Sequence, residues 1–73
     1  MSAEPLKRLL AAKPFVAFGL HIGPMDVVMI EDASWCEVNE IDHVVCIKSP
    51  DGELAEIVDL DAVVRISFGS FQR

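Results

Sequence analysis

The sequence predicts a small, mainly β domain: a five-stranded SH3-like or Sm-like barrel with one N-terminal helix. The chain has 73 residues, which is enough for a single domain spanning 1–73. After a short helical pattern, apolar residues alternate with period two in several short runs, and turn residues separate these runs. Bending such strands into a barrel buries one face and removes open edges. An open α+β sheet with the helix on one face is the alternative.

The first element, residues 3–12, is predicted to be an amphipathic helix. Ser2 is a candidate N-cap, and Leu6, Leu9 and Leu10 form one apolar stripe at i, i+3, i+4 spacing. A helix of about ten residues is marginal by itself. We therefore expect the leucines to dock on the strands.

The rest of the chain is predicted to be short strands and turns. One face of the run 15–22 is wholly apolar, and Phe15, Phe18 and Leu20 are the expected core residues. The segment 49–52, Ser-Pro-Asp-Gly, fits a type I turn followed by a left-handed glycine. The predicted strands cover residues 15–22, 26–31, 43–48, 53–60 and 63–68, with a weak and short run at 35–38.

The charge distribution argues against nucleic acid and membrane as partners. The net charge is −6, and residues 26–61 hold eleven acidic side chains against one base, Lys48. A body this acidic is repelled by phosphate backbones and anionic lipids. The chain also lacks an apolar run of the roughly 18–20 residues that span a bilayer.

The two cysteines indicate a cytoplasmic protein with reduced thiols. Cys36 and Cys46 are too few for the disulfide framework of a small secreted domain, and each lies in an apolar stretch. The N-terminal segment lacks the apolar core of a secretory signal. A Cys36–Cys46 bridge between neighbouring strands is the alternative interpretation.

The residues that could carry chemistry do not predict an enzyme, a cofactor or a metal centre. His21, Cys36, His43 and Cys46 are the weak candidates for a zinc site, because imidazole and thiolate are good zinc ligands. On a strand, however, residues 43 and 46 face opposite sides of the sheet. A cysteine nucleophile would need a substrate pocket, for which so small a barrel leaves little room. A small metal- or thiol-dependent protein stays an alternative hypothesis.

Three ordered motifs resemble a family of short, uncharacterised bacterial proteins. They are Leu10-x-x-Lys13-Pro14-Phe15-x-x-Phe18-x-Leu20-His21-Ile22, then Val45-x-Ile47 with Pro50-Asp51-Gly52, then Ile57-x-Asp59-Leu60-x-x-Val63-x-x-Ile66. That family has Asp-Gly-Arg at the first hairpin and His-Pro-Asp after the second strand, where this chain has residues 23–26, Gly-Pro-Met-Asp, and 31–34, Glu-Asp-Ala-Ser. The resemblance implies a small β-barrel and no activity.

The function that the sequence predicts is a non-catalytic module for binding a protein partner or for self-assembly. Basic ends beside an acidic middle are complementary to a second copy of the chain, and small barrels leave edge strands that can pair between subunits. The interface candidates are Met25, Trp35, Phe68 and Phe71. Alternatively, Trp35 and Phe68 complete a monomeric core. An Sm-like RNA-binding protein is the second alternative, which the charge pattern opposes.

Overall fold

The structure is a computed structural model that describes residues 2–68, which form one helix and six strands. The helix is α1 (Ala3–Ala11). The strands are β1 (Phe18–Ile22), β2 (Asp26–Ile30), β3 (Cys36–Asn39), β4 (Val44–Lys48), β5 (Leu54–Asp59) and β6 (Val63–Phe68). Two short 3₁₀ turns, Ala33–Trp35 and Leu60–Ala62, link β2 to β3 and β5 to β6. We call the second one the 60–62 turn.

The strands form two open three-stranded sheets, in the orders β2-β1-β6 and β3-β4-β5. All neighbouring strands are antiparallel. The predicted mainly β domain with an N-terminal helix is therefore confirmed. The five-strand count is wrong, because the weak run at 35–38 is a full strand, β3. Within residues 2–68 the strands do not close into the predicted barrel. They also do not form the single open sheet that was the alternative prediction. The two 3₁₀ turns interrupt the chain at the two places where it passes from one sheet to the other.

Some element boundaries differ from the prediction for local reasons. Ser2 adopts the extended backbone of an N-cap, but its side chain makes no capping hydrogen bond. His43 lies in a turn rather than at the start of β4, with a left-handed φ of 58°. The Asn39 side chain shapes this turn: its Oδ1 accepts a 3.0 Å hydrogen bond from the Asp42 amide. Gly52 has a φ of 91°, which confirms the left-handed glycine of the β4–β5 turn.

The core lies between the two sheets and under the helix. The predicted core residues Phe18 and Leu20 are fully buried, and Phe15 packs at the margin, with its ring centroid 5.9 Å from that of Phe18. Leu6 is the helix residue that is fully buried, as its place on the leucine stripe predicts. The other buried hydrophobic residues come from both sheets and the 60–62 turn: Ile30, Cys36, Val45, Ile47, Val58, Leu60 and Val63.

The 60–62 turn fixes the loops at one end of the molecule. The Leu60 amide donates a 2.9 Å hydrogen bond to the carbonyl of His43, in the β3–β4 turn. The Gly23 amide, in the β1–β2 turn, donates a 3.1 Å bond to the carbonyl of Ala62. This short segment is therefore hydrogen-bonded to a turn of each sheet. Leu60 bonds to the β3–β4 turn, and Ala62 bonds to the β1–β2 turn.

No helix among the described residues is long and apolar enough to cross a membrane.

Candidate functional site

The open edges of β5 and β6 are the candidate functional site. Within the part of the chain that the structure describes, β5 pairs with β4 and β6 pairs with β1, each along one side only. Both strands expose large apolar side chains: Leu54 and Ile57 on β5 are 57% and 58% exposed, and Val64 and Phe68 on β6 are 62% and 46% exposed. A free strand edge with exposed apolar side chains is a template for pairing with another chain.

The register of the second sheet explains why β5 is apolar on both faces. Val58 lies opposite Val45 and points into the core, as both are buried. Because side chains alternate along a strand, the neighbouring Ile57, opposite Cys46, lies on the outer face. Its side chain is therefore left exposed by the fold itself.

The two edges carry opposite charge. The β5 segment 53–59 holds three acidic residues and no base, namely Glu53, Glu56 and Asp59. The β6 segment 63–68 holds one base, the exposed Arg65, and no acid. The β6 edge is thus suited to an acidic strand, and the β5 edge to a basic one.

Most other described basic residues are neutralised within the chain. The Nζ of Lys7 lies 2.9 Å from Glu40, and the hydrogen bond with this carboxylate raises the pKa of Lys7. Arg8 lies 3.9 Å from Glu4, and Lys48 lies 3.4 Å from Glu37. These ion pairs are exposed to solvent and therefore weak. The complementarity between a basic helix and an acidic second copy stays a prediction.

The four interface candidates differ in how far the structure exposes them. Met25 is exposed in the β1–β2 turn, and Phe68 is half-exposed at the end of β6. Trp35 is only partly exposed and packs against the core, which favours the alternative that it completes the fold of one chain. Phe71 lies outside the described residues.

The four candidate metal ligands are not brought together. His21 lies in β1, where its Nε2 is 2.8 Å from the Oγ of Ser67 in β6. Cys36 is buried in the core, whereas Cys46, one strand away, occupies the opposite face of the sheet. His43 lies 2.9 Å from Asp61 instead. Among the described residues, no group of three or more ligand atoms within mutual reach contains more than one of the four.

Both cysteines are free thiols. Cys36 lies opposite Ile47 and Cys46 opposite Glu37, so their side chains are on different faces and form no bridge. Burial, with a smaller contribution from Cys46, raises the pKa of the Cys36 thiol to about 11. Because the thiolate is the reactive form, Cys36 is a poor nucleophile near neutral pH.

The contact between His21 and Ser67 is one that the sequence could not predict, because the two residues are 46 positions apart. It occurs because β1 pairs with β6, which places Ser67 opposite Gly19 and beside His21. A side chain at position 19 would crowd this contact, since its Cβ would lie 3.0 Å from the Ser67 hydroxyl oxygen. A serine beside a histidine resembles a nucleophile with its base, but residues 2–68 enclose no pocket around it. The contact ties β1 to β6.

A comparison of the chain with models of known protein families, with curated protein sequences and with solved structures gives no match. The resemblance to short bacterial proteins therefore stays a prediction.

Proposed function

We propose that this chain is a non-catalytic self-assembly module, in which the β5 edge of one copy pairs with the β6 edge of the next. The observation that carries this proposal is the pair of open edges, each with exposed apolar side chains and with opposite charge. Such pairing would extend both sheets across the interface. It would also cover the free edges of β5 and β6, two of the four edge strands in the described part of the chain.

The contacts that pairing would gain are of two kinds. Main-chain hydrogen bonds form along two strands of six residues each, and each contributes about 0.5–1.5 kcal/mol net. Apolar side chains of β5, Leu54 and Ile57, would lie beside those of β6, Val64 and Phe68, at about 25 cal/mol per Å² of apolar surface removed from water. Phe68 thus keeps the interface role that the sequence predicts for it.

Charge selects the pairing of β5 with β6 over the pairing of β5 with itself. Two β5 strands side by side would bring Glu56 and Asp59 near their own copies, and like charges on neighbouring strands are destabilising. The β6 strand offers Arg65 to the same carboxylates. Complementary charge at an interface also suppresses incorrect partners.

Pairing of two different edges has a consequence for the shape of the assembly. A contact between two different surfaces is heterologous. In an open assembly of this kind, the copy at one end keeps a free β5 edge and the copy at the other end keeps a free β6 edge. Closure produces a ring, and lack of closure produces a filament. We propose the ring, because a closed assembly leaves neither edge exposed.

The strand order also supports the finer fold class that the sequence predicts. In a five-stranded SH3-like or Sm-like barrel, one long bent strand can serve two sheets. The sequential strands β2 and β3, separated by the 3₁₀ turn Ala33–Trp35, occupy the positions of the two halves of that strand. We therefore propose an open SH3-like barrel, with β2 and β3 as its interrupted strand.

Replacing Ile57 by Lys is expected to dissociate the assembly. The substitution removes an exposed apolar contact and places a cation on the edge that would meet Arg65. Ile41→Lys is the matched control, because Ile41 is 96% exposed in the β3–β4 turn and belongs to neither β5 nor β6. Light scattering coupled to gel filtration should give a multiple of 8.0 kDa for the wild type and Ile41→Lys, and 8.0 kDa for Ile57→Lys.

Two results would contradict the proposal. One is a wild-type mass of 8.0 kDa throughout the micromolar to millimolar range. The other is an unchanged assembly in Ile57→Lys, provided that circular dichroism shows the variant to be folded. If the wild type is monomeric but a different protein binds in an Ile57-dependent manner, the edge is a binding site and the self-assembly proposal fails.

A further inference from the structure

A second cluster of chemically active side chains lies beside the 60–62 turn, at the C-terminal end of β5. It comprises His43, Asp59 and Asp61, each of which offers one ligand atom, and these three atoms lie within 4.8 Å of one another. The Nε2 of His43 is 2.9 Å from the Oδ1 of Asp61. The cluster combines one imidazole and two carboxylates from two separate segments of the chain.

We infer that His43, Asp59 and Asp61 bind a divalent transition-metal cation of the zinc class. Zinc takes imidazole nitrogen and carboxylate oxygen at about 2.0–2.2 Å, commonly with three protein ligands and water in the remaining position. Calcium and magnesium are disfavoured, because they take oxygen ligands and the imidazole would be left unused. All three side chains belong to one copy, although Asp59 is also one of the β5 acidic residues that the proposed assembly would bring near Arg65.

The backbone already holds the two segments in position for such a site. The His43 carbonyl accepts the Leu60 amide at 2.9 Å, which fixes the β3–β4 turn against the 60–62 turn. The Oδ1 of Asp59 accepts the Asp61 amide at 2.8 Å, which orients the Asp59 carboxylate. Ligands on a tetrahedral zinc lie roughly 3.4 Å apart, given the bond lengths above. Small rotations of exposed side chains are therefore enough to close the cluster on an ion.

The charges of the cluster favour a cation. Two carboxylates and one imidazole lie within reach of one another, and a divalent cation would add its charge to the hydrogen bonds that Asp59 and Asp61 already make. Zinc binds the deprotonated imidazole nitrogen and ionised carboxylates, so any proton held between His43 Nε2 and Asp61 is released to solvent on binding.

The test is titration of the full-length, untagged chain with zinc, followed by calorimetry and by NMR of the imidazole signals. We expect the His43 signals to shift on zinc addition and those of His21 to stay unchanged. His43→Gly should reduce the affinity at least tenfold, as should Asp61→Asn. Glycine suits the left-handed φ at position 43, so this variant should fold as well as the wild type.

Glu31→Gln is the matched control, because it removes one negative charge at an exposed site after β2 and should leave zinc affinity unchanged. The inference is overturned if the wild type does not bind zinc, or if folded His43→Gly binds it as tightly. It is equally overturned if zinc shifts the signals of Cys46 or His21 in place of those of His43.

Discussion

Phe18→Ala is expected to lower the free energy of unfolding by about 3–5 kcal/mol. Phe18 is fully buried in β1, the central strand of its sheet, and its ring packs against that of Phe15. Truncation removes the largest fully buried side chain and leaves a cavity that the two sheets cannot easily close. At roughly 0.05–0.15 kcal/mol per residue, the stability of a chain of this length is about 4–11 kcal/mol, so the loss is a large part of it.

Chemical denaturation, followed by the fluorescence of the single tryptophan, Trp35, measures this effect. Phe68→Ala is the matched control, because the same side chain is 46% exposed one strand away, opposite Phe18. We expect it to cost less than about 1.5 kcal/mol, since part of its surface is already in water. Equal losses for the two variants would show that the core is not centred on Phe18.

Leu60→Ala is expected to cost about 2–5 kcal/mol. Leu60 is fully buried in the short turn between β5 and β6, where its own amide is bonded to the carbonyl of His43. The substitution keeps that backbone bond but removes the side chain that anchors the 60–62 turn in the core. We therefore expect lower stability together with faster hydrogen exchange of the Gly23 amide, which donates to the same turn.

Leu54→Ala provides the comparison for this prediction, as Leu54 is 57% exposed at the start of β5. Measured at low protein concentration, it should change the free energy of unfolding by no more than about 0.5–1 kcal/mol. If Leu60→Ala is as mild as Leu54→Ala, or if it leaves the exchange of Gly23 unchanged, the 60–62 turn does not fix the loops of both sheets.

Sequence patterns predicted the elements whose conformation depends on neighbouring residues in the chain. The leucine stripe of α1 placed Leu6 in the core, and the alternation in 15–22 placed Phe18 and Leu20 there. The glycine of the β4–β5 turn could be predicted because only the preference of glycine for left-handed backbone was needed. The run 35–38 predicts only a weak and short strand, and β3 covers Cys36–Asn39, because four residues are too few to show a clear alternation.

Contacts between distant segments could not be predicted in the same way. The pairing of β1 with β6, which brings Ser67 to His21, depends on how the sheets divide rather than on any run of residues. The β-branched run 43–48 predicts a strand that begins at His43. In the structure His43 instead lies in the preceding turn with a left-handed φ, and its ring contacts Asp61, 18 positions along the chain. The edge strands were expected from the size of the fold. The sequence does not predict which strands are at the edges, because that depends on how the strands are arranged in the two sheets. The opposite charges of the β5 and β6 edges could be recognised only once this arrangement was known.

The most direct test of self-assembly through β5 and β6 is amide hydrogen exchange measured at increasing protein concentration. The account predicts that amides in residues 54–59 and 63–68 become more protected as concentration rises, while those of the other two edge strands, β2 and β3, exchange at an unchanged rate. Protection confined to 26–30, or no dependence on concentration at any edge, would contradict it.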